Sequence, residues 1–361
     1  MTRSTSIGRR TLLKAALASS GGVALAVSSG LEAPAIAAPR ISRTLAKDLA
    51  VPWGVAFLPS GNALVGERDS GDVHVVRRGG GRTRVGNLDV FSQLSAGGEG
   101  GLLGLALHPE FRSNRWVYAY LSTRNDNRIV RARFVDGVLG QRHRVLAGIP
   151  MSGHHNGGGL TFGPDGLLYA STGDAEDSSR AQSRSSLGGK VLRLTPQGDM
   201  PQGNPFGNYT WSMGHRNVEG ITFDSRGTLW ASEFGEKQAD ELNRIVPGAN
   251  YGWPQVEGGD GRGGYRDPLA QWSPTSTCSP AGVAAANGRA WLGALRGQCV
   301  FSVRLRGPNA GTIGKHFAGR FGRIRQVAKA LDGSLWITTS NRDGRGSPGA
   351  DDDKVIRVAL G

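Results

Sequence analysis

One pattern occurs six times along the chain, and no other feature of the sequence limits the fold as much. Trp53-Gly54-Val55-Ala56-Phe57 leads through Gly61 into Ala63-Leu64-Val65, and Leu103-Gly104-Leu105-Ala106-Leu107 leads into Trp116-Val117-Tyr118-Ala119-Tyr120. Gly159-Leu160-Thr161-Phe162 passes through Gly166 to Leu168-Tyr169-Ala170, and Gly220-Ile221-Thr222-Phe223 through Gly227 to Leu229-Trp230-Ala231. The last two copies run from Gly282-Val283-Ala284-Ala285 to Ala290-Trp291-Leu292, and from Val327-Ala328-Lys329-Ala330 to Leu335-Trp336-Ile337. Each copy reads as a strand, a glycine-containing turn and a second strand, which is hairpin chemistry. Third strands follow in several copies, as in Lys190-Val191-Leu192-Arg193-Leu194. A spacing of roughly 45–60 residues is that of propeller blades, and no stretch keeps a helical period over three turns. The repeat therefore predicts an all-β protein, a single six-bladed β-propeller over residues 41–361. A pair of β-sandwiches would not repeat these elements six times in the same order.

Composition agrees. Glycine accounts for 57 of 361 residues, about double the usual share, but without a G-X-Y period. With 38% hydrophobic residues, both collagen and wholesale disorder are excluded. The net charge of +14 raises the question of nucleic acid. The arginines are dispersed and no nucleic-acid-binding motif occurs, so no nucleic-acid partner is expected. Two cysteines exclude a disulfide scaffold. Cys278 and Cys299 are expected to pair across neighbouring strands, the alternative being two buried thiols. Asp351-Asp352-Asp353 reads as a solvated turn before the last strand.

The N-terminus reads as an address. Gly8-Arg9-Arg10-Thr11-Leu12-Leu13-Lys14 precedes a weakly apolar stretch, and Ala35-Ile36-Ala37 offers a cleavage site. That combination predicts a Tat-type signal peptide over residues 1–37 and an exported product, in the periplasm, cell wall or medium. The stretch falls short of the roughly 20 apolar residues of a spanning helix, so no stable membrane insertion is expected.

Three segments carry more polar chemistry than turns require: Gly153-His154-His155-Asn156-Gly157-Gly158, Gly214-His215-Arg216-Asn217, and Ser232-Glu233-Phe234-Gly235-Glu236 with Asp240-Glu241 beyond it. Loops on one face of a propeller converge at its central channel, so the first two should meet there. Read alone, each is equally a hydrogen-bonded turn or solvated charge.

In this order the segments resemble the soluble quinoprotein glucose/sorbosone dehydrogenase family. Further markers are Gly98-Glu99-Gly100-Gly101-Leu102-Leu103-Gly104, Gly173-Asp174, Asn250-Tyr251-Gly252-Trp253-Pro254 and Gly322-Arg323-Ile324-Arg325. The resemblance implies a propeller that binds pyrroloquinoline quinone (PQQ) and Ca²⁺. It implies an oxidoreductase that oxidises the anomeric carbon of an aldose to a lactone, with electrons passing on to an unidentified acceptor. By the same resemblance His155 is the general base, Asp174 orients it, and Arg216 and Asn217 contact the quinone. Glu99, Arg296, Arg323 and Arg325 fall at further cofactor positions, and Gly235, Glu236, Asp240 and Glu241 at the calcium turn. The chemistry is coherent: a carboxylate fixes an imidazole's tautomer, arginines suit a tricarboxylate, and Ca²⁺ takes oxygen ligands. Relatives often carry Arg at Gly159, Pro-Gln at Val218-Glu219, His or Gln at Phe234, and Pro at Glu236. These departures leave a second reading, a non-catalytic propeller that binds a cell-wall glycan or a protein.

Overall fold

The computed structural model describes residues 38–92, 98–261 and 263–361. The signal peptide expected over residues 1–37 lies outside the described residues. Six small antiparallel sheets form the six blades. Blade 1 comprises Pro52–Phe57, Ala63–Glu67, Asp72–Val76 and Arg82–Asn87. Blades 2 to 5 begin with Leu102–Leu107, Leu160–Phe162, Asn217–Phe223 and Pro280–Ala286, and each continues outward through three more main strands. Blade 6 has Ile324–Lys329, Leu335–Thr339 and Val355–Ala359, with Arg40–Ala46 from the other end of the described chain as its outermost strand.

That last strand closes the ring. Arg40 pairs with Ala359 and Ala46 with Val355, so the blade made last in the chain is completed by the first described strand. The innermost strands of successive blades touch one another around the ring, including blade 6 against blade 1. The Thr338 hydroxyl donates to the Pro52 carbonyl at 2.8 Å across that seam. Apolar side chains fill the wedges between blades. Leu64, Leu105 and Val117 pack between blades 1 and 2, and Tyr118, Leu160 and Leu192 between blades 2 and 3.

The glycines near the start of the inner strands of blades 1 to 4 have a role different from hairpin turning. A Cβ on Gly54 would lie 2.5 Å from the Leu103 carbonyl oxygen, and one on Gly104 2.2 Å from that of Gly158. On Gly220 it would meet the Ala281 carbonyl oxygen at 2.8 Å. In each case the clash is with backbone of the next blade's entry, so this position lets adjacent blades close to near-contact at the axis. Gly159 belongs to the same series. Its Cβ would meet Ser171 Oγ at 2.5 Å and the Ile221 amide nitrogen at 3.0 Å, so a side chain in this place would be crowded.

Two expectations are corrected. Cys278 and Cys299 are free thiols, both buried in the apolar wedge with Trp272 and Phe301, and burial pushes both thiols up, Cys299 to about 11. The acidic run is not a solvated turn beyond Asp351. Asp353 is fully buried and accepts from the backbone amides of Asn341 and Arg342 and from the Thr339 hydroxyl. Asp352 accepts from Asn341 Nδ2 and the Gly349 amide. The carboxylates satisfy orphan amides of the 339–349 loop, which carries part of the site below.

Candidate active site

The entry to blade 3 and the loop after its second strand are held together by close backbone contact. Gly173 bridges to Asn217 of blade 4, and a Cβ there would lie 1.9 Å from the His155 carbonyl oxygen. Only glycine lets these three segments meet. His155 itself adopts a left-handed φ of 56°, a conformation uncommon for a residue with a side chain. Its amide donates to Glu99 Oε2 at 3.1 Å.

The imidazole is clamped from one side. His155 Nδ1 lies 2.8 Å from Asp174 Oδ1. The other Asp174 oxygen accepts from the indole nitrogen of Trp253 at 2.8 Å, and the Glu176 amide donates to Oδ1. Asp174 is buried while the His155 side chain keeps 19% of its surface. Among the described residues Nε2 has no protein hydrogen bond, and His155 lines a cavity of about 290 Å³ at the mouth of the channel. A carboxylate on Nδ1 holds a proton there and leaves Nε2 as the basic atom.

The rest of that wall is cationic. Arg216, Arg296, Arg323 and Arg345 all line the same cavity, with Glu99, Phe234, Gly235 and Glu236. The Arg216 amide donates to Glu233 Oε1 at 2.6 Å, its guanidinium lies 5.5 Å from the Trp253 ring, and its Nε is buried without a hydrogen-bond partner. Arg323 is anchored by Asp343 at 2.8 Å. Arg345 bonds Glu99 Oε1 at 2.7 Å. Burial alone would raise the Glu99 carboxyl, but the hydrogen bond and charge of Arg345 hold it below its ordinary value.

Other expected residues lie around the cavity, not on its wall. Asn217 is fully buried and braces the loops, accepting from the Gly157 amide at 2.9 Å and donating to Glu219. Arg325 bonds Glu219 Oε2 at 2.6 Å and lies 3.6 Å from Asp343. Burial pushes the Glu219 carboxyl up while Arg325 pulls it back. The glutamate at 219 thus has an arginine partner, and Val218 is simply core beside Tyr169 and Val191. His215 is also withdrawn. It is buried between Ser212 and Glu233 and stacks on Tyr251 at 4.5 Å.

The turn expected to hold calcium divides in the same way. Gly235 and Glu236 lie on the cavity wall. Asp240 accepts from the Gly235 amide on one oxygen and the Ser279 amide on the other, and Glu241 accepts from Gly258 and Asn243. Burial pushes Asp240 to about 7 and Glu241 to about 8. The turn is drawn tight by Glu257, whose Oε1 accepts from all four amides of residues 236–239 at 2.7–3.0 Å. Sequence reasoning missed Arg345, Asp343 and Glu257. Gly344-Arg345-Gly346 was the one local signal, a cation in a glycine-rich turn.

A six-bladed propeller with a carboxylate-oriented histidine facing four guanidiniums is a scaffold equipped for acid–base work on a bound anion. The chain belongs to the glucose/sorbosone dehydrogenase family: the family model described as Glucose / Sorbosone dehydrogenase matches residues 49–348. It is an oxidoreductase of that family, as the sequence resemblance implied. It is similar to the PQQ-bound aldose sugar dehydrogenase of Streptomyces coelicolor, with 44% identity, TM-score 0.86, and coverage of 90% of this chain and 98% of that one. The Escherichia coli aldose sugar dehydrogenase YliI is 28% identical over 330 residues, covering 81% of this chain and 88% of its own. Quinoprotein glucose dehydrogenase B of Acinetobacter calcoaceticus is 33% identical over 205 residues, 47% of this chain and 43% of its own.

Proposed function

We propose that the protein is a PQQ- and Ca²⁺-dependent aldose dehydrogenase, exported through a Tat-type signal, that oxidises the anomeric carbon of a sugar to a lactone. The observation that carries this reading is the His155–Asp174 pair opening onto the arginine wall. The wall fits a quinone tricarboxylate. Arg216, Arg296, Arg323 and Arg345 provide charge-assisted donors, and the buried, unpartnered Nε of Arg216 is a donor in need of an acceptor. Ca²⁺ fits the turn through oxygen donors of Gly235 and Glu236, while Asp240 and Glu257 hold that turn in place. When bound, the quinone supplies an acceptor for the anomeric hydrogen and its electron pair.

The protein's own part is proton handling and placement. His155 Nε2 takes the proton of the anomeric hydroxyl as the C1–O bond gains double-bond character. Asp174 keeps Nδ1 as the donor and stabilises the imidazolium. Trp253 and the Glu176 amide keep Asp174 in place as charge develops. The arginine wall would hold the quinone while the two electrons pass on to an external acceptor.

The test is reconstitution of purified protein with PQQ and Ca²⁺, followed by dye reduction over a panel of aldoses. Aldose-dependent turnover that disappears in His155→Ala is the expected result. Absence of quinone binding, or full activity in His155→Ala, overturns the reading.

A further inference from the structure

We propose that Glu67, Asp72 and His74 form a binding site for a divalent first-row metal ion of the zinc type, separate from the cavity at the propeller mouth. The hairpin of blade 1 puts the three on one face. Asp72 and His74 are two apart on one strand, so both side chains leave the same side of the pleat. Val65 pairs with His74 and Gly66 with Val73, which sets Glu67 opposite Asp72 on the same face. One ligand atom from each side chain lies within 4.8 Å of the others.

The imidazole is the observation that points to a ligand. His74 is 5% exposed, and both of its ring nitrogens are buried without a hydrogen-bond partner. Nε2 lies 3.4 Å from Glu67 Oε1, a contact that is not a hydrogen bond. That separation is also about the edge of a tetrahedron built at zinc–ligand distances of about 2.0–2.2 Å. A buried imidazole with no hydrogen bond, and nothing closer than a loose 3.4 Å ion-pair contact to Glu67, is uncommon in a folded protein, and an ion between it and the two carboxylates satisfies it.

The surroundings allow an ion to enter and remain. The three side chains line an open cavity of about 710 Å³, bordered by Leu49, Ala50 and Arg342. Arg84 bonds Asp72 Oδ1 at 2.7 Å, which leaves Asp72 Oδ2 for another partner, while Ser70 bonds Glu67 Oε2 and an ion would share Glu67 Oε1, 4.0 Å from Arg82, with the protein. No guanidinium hydrogen-bonds the imidazole. Against burial, the contact with His74 and the hydrogen bonds from Ala50 and Ser70 hold the Glu67 carboxyl below its ordinary value, and Arg84 with Asn87 does the same for Asp72, leaving anionic ligands at neutral pH. One imidazole and two carboxylates suit Zn²⁺ or Co²⁺ better than Ca²⁺ or Mg²⁺. Glu67 Oε1 also accepts from the Ala50 amide, just beyond the strand that completes blade 6. An ion here would fasten blade 1 to the closing segment of the ring.

The test uses full-length protein, stripped by chelation and then saturated with Ca²⁺ to occupy oxygen sites. Zn²⁺ is titrated calorimetrically and Co²⁺ by its visible absorption. One equivalent of each is expected, with a rise in Tm and a Co²⁺ spectrum of low coordination number. His74→Ala should weaken binding by about 100-fold or more, beyond the loss of an outer-shell partner, and remove the Tm rise. Asp72→Asn provides a second variant in case the first folds poorly. No stoichiometric binding in the wild-type protein, or an equivalent retained by both variants, overturns the proposal. Aldose oxidation plays no part in this readout.

Discussion

The Nδ1 of His155 and the Oδ1 of Asp174 stand 2.8 Å apart, with the histidine partly open and the aspartate buried. The pair spans two loops of blade 3, and its rigidity comes from a third element, because Trp253 fills the other aspartate oxygen. The buried charge therefore has three directional donors, His155, Trp253 and the Glu176 amide, and one productive orientation.

Asp174→Asn keeps the volume but presents an amide that no longer fixes the tautomer. We expect kcat to fall roughly 10²–10⁴-fold with a smaller change in KM, as for a lost general-base orientation. Steady-state dye reduction measures it. A fall confined to KM would assign Asp174 to substrate binding instead.

Arg216→Ala and Arg345→Ala each remove a cation from the cavity wall. A hydrogen bond to a charged group contributes about 1.5–3 kcal/mol, so quinone affinity should drop about 10- to 100-fold in each. Arg345→Ala also leaves Glu99 without its partner at 2.7 Å, and should be the worse of the two. Equilibrium titration of PQQ into each variant decides the order.

Glu257 collects four backbone amides on one oxygen and so sets the shape of the 235–239 turn. Glu257→Ala should raise the Ca²⁺ concentration needed for half-activation by about tenfold or more, as supporting partners of metal sites do. An unchanged Ca²⁺ dependence would place the ion elsewhere.

Burial holds Asp240 protonated up to about pH 7 in the folded protein, while the unfolded chain releases that proton near about 3.9. Between those values the folded state binds more protons, so this group's stabilising contribution, full below the unfolded pKa, is lost as pH rises to 7. Glu241 acts in the same direction up to about 8. Melting curves from pH 4 to 8, without Ca²⁺, should show a stability change with pH that is more positive in Asp240→Asn than in the wild-type protein. Identical slopes would mean Asp240 is ionised throughout.

Much of the site was legible because its chemistry is local. His155, Arg216, Gly235 and Glu236 fall in short polar, glycine-rich segments that interrupt an apolar repeat, and all four reach the cavity. Asn217, Arg325, Asp240 and Glu241 sit in the same kinds of segment, but their polar atoms are spent on bracing loops or on buried partners. Spacing along the chain cannot separate these two fates, since neighbouring residues on a strand face opposite ways. Arg345 and Glu257 went unseen because each works on a partner far away in sequence, Glu99 and the 236–239 turn. The unpartnered imidazole of His74 was equally invisible, because its isolation is a property of its surroundings.

Alternation of apolar residues, turn glycines and six-fold recurrence determined the strands, the hairpins and the blade count, because each hairpin depends on contacts within one repeat and the count on how often it recurs. Closure by the strand at Arg40–Ala46 was decided only in three dimensions, as was the free state of Cys278 and Cys299. So was the reason for the inner glycines. Gly54 and Gly104 are glycine not for a turn but because the next blade's carbonyl oxygen lies where a Cβ would be. Backbone from separate repeats converges at the axis, and that crowding has no counterpart within a single repeat.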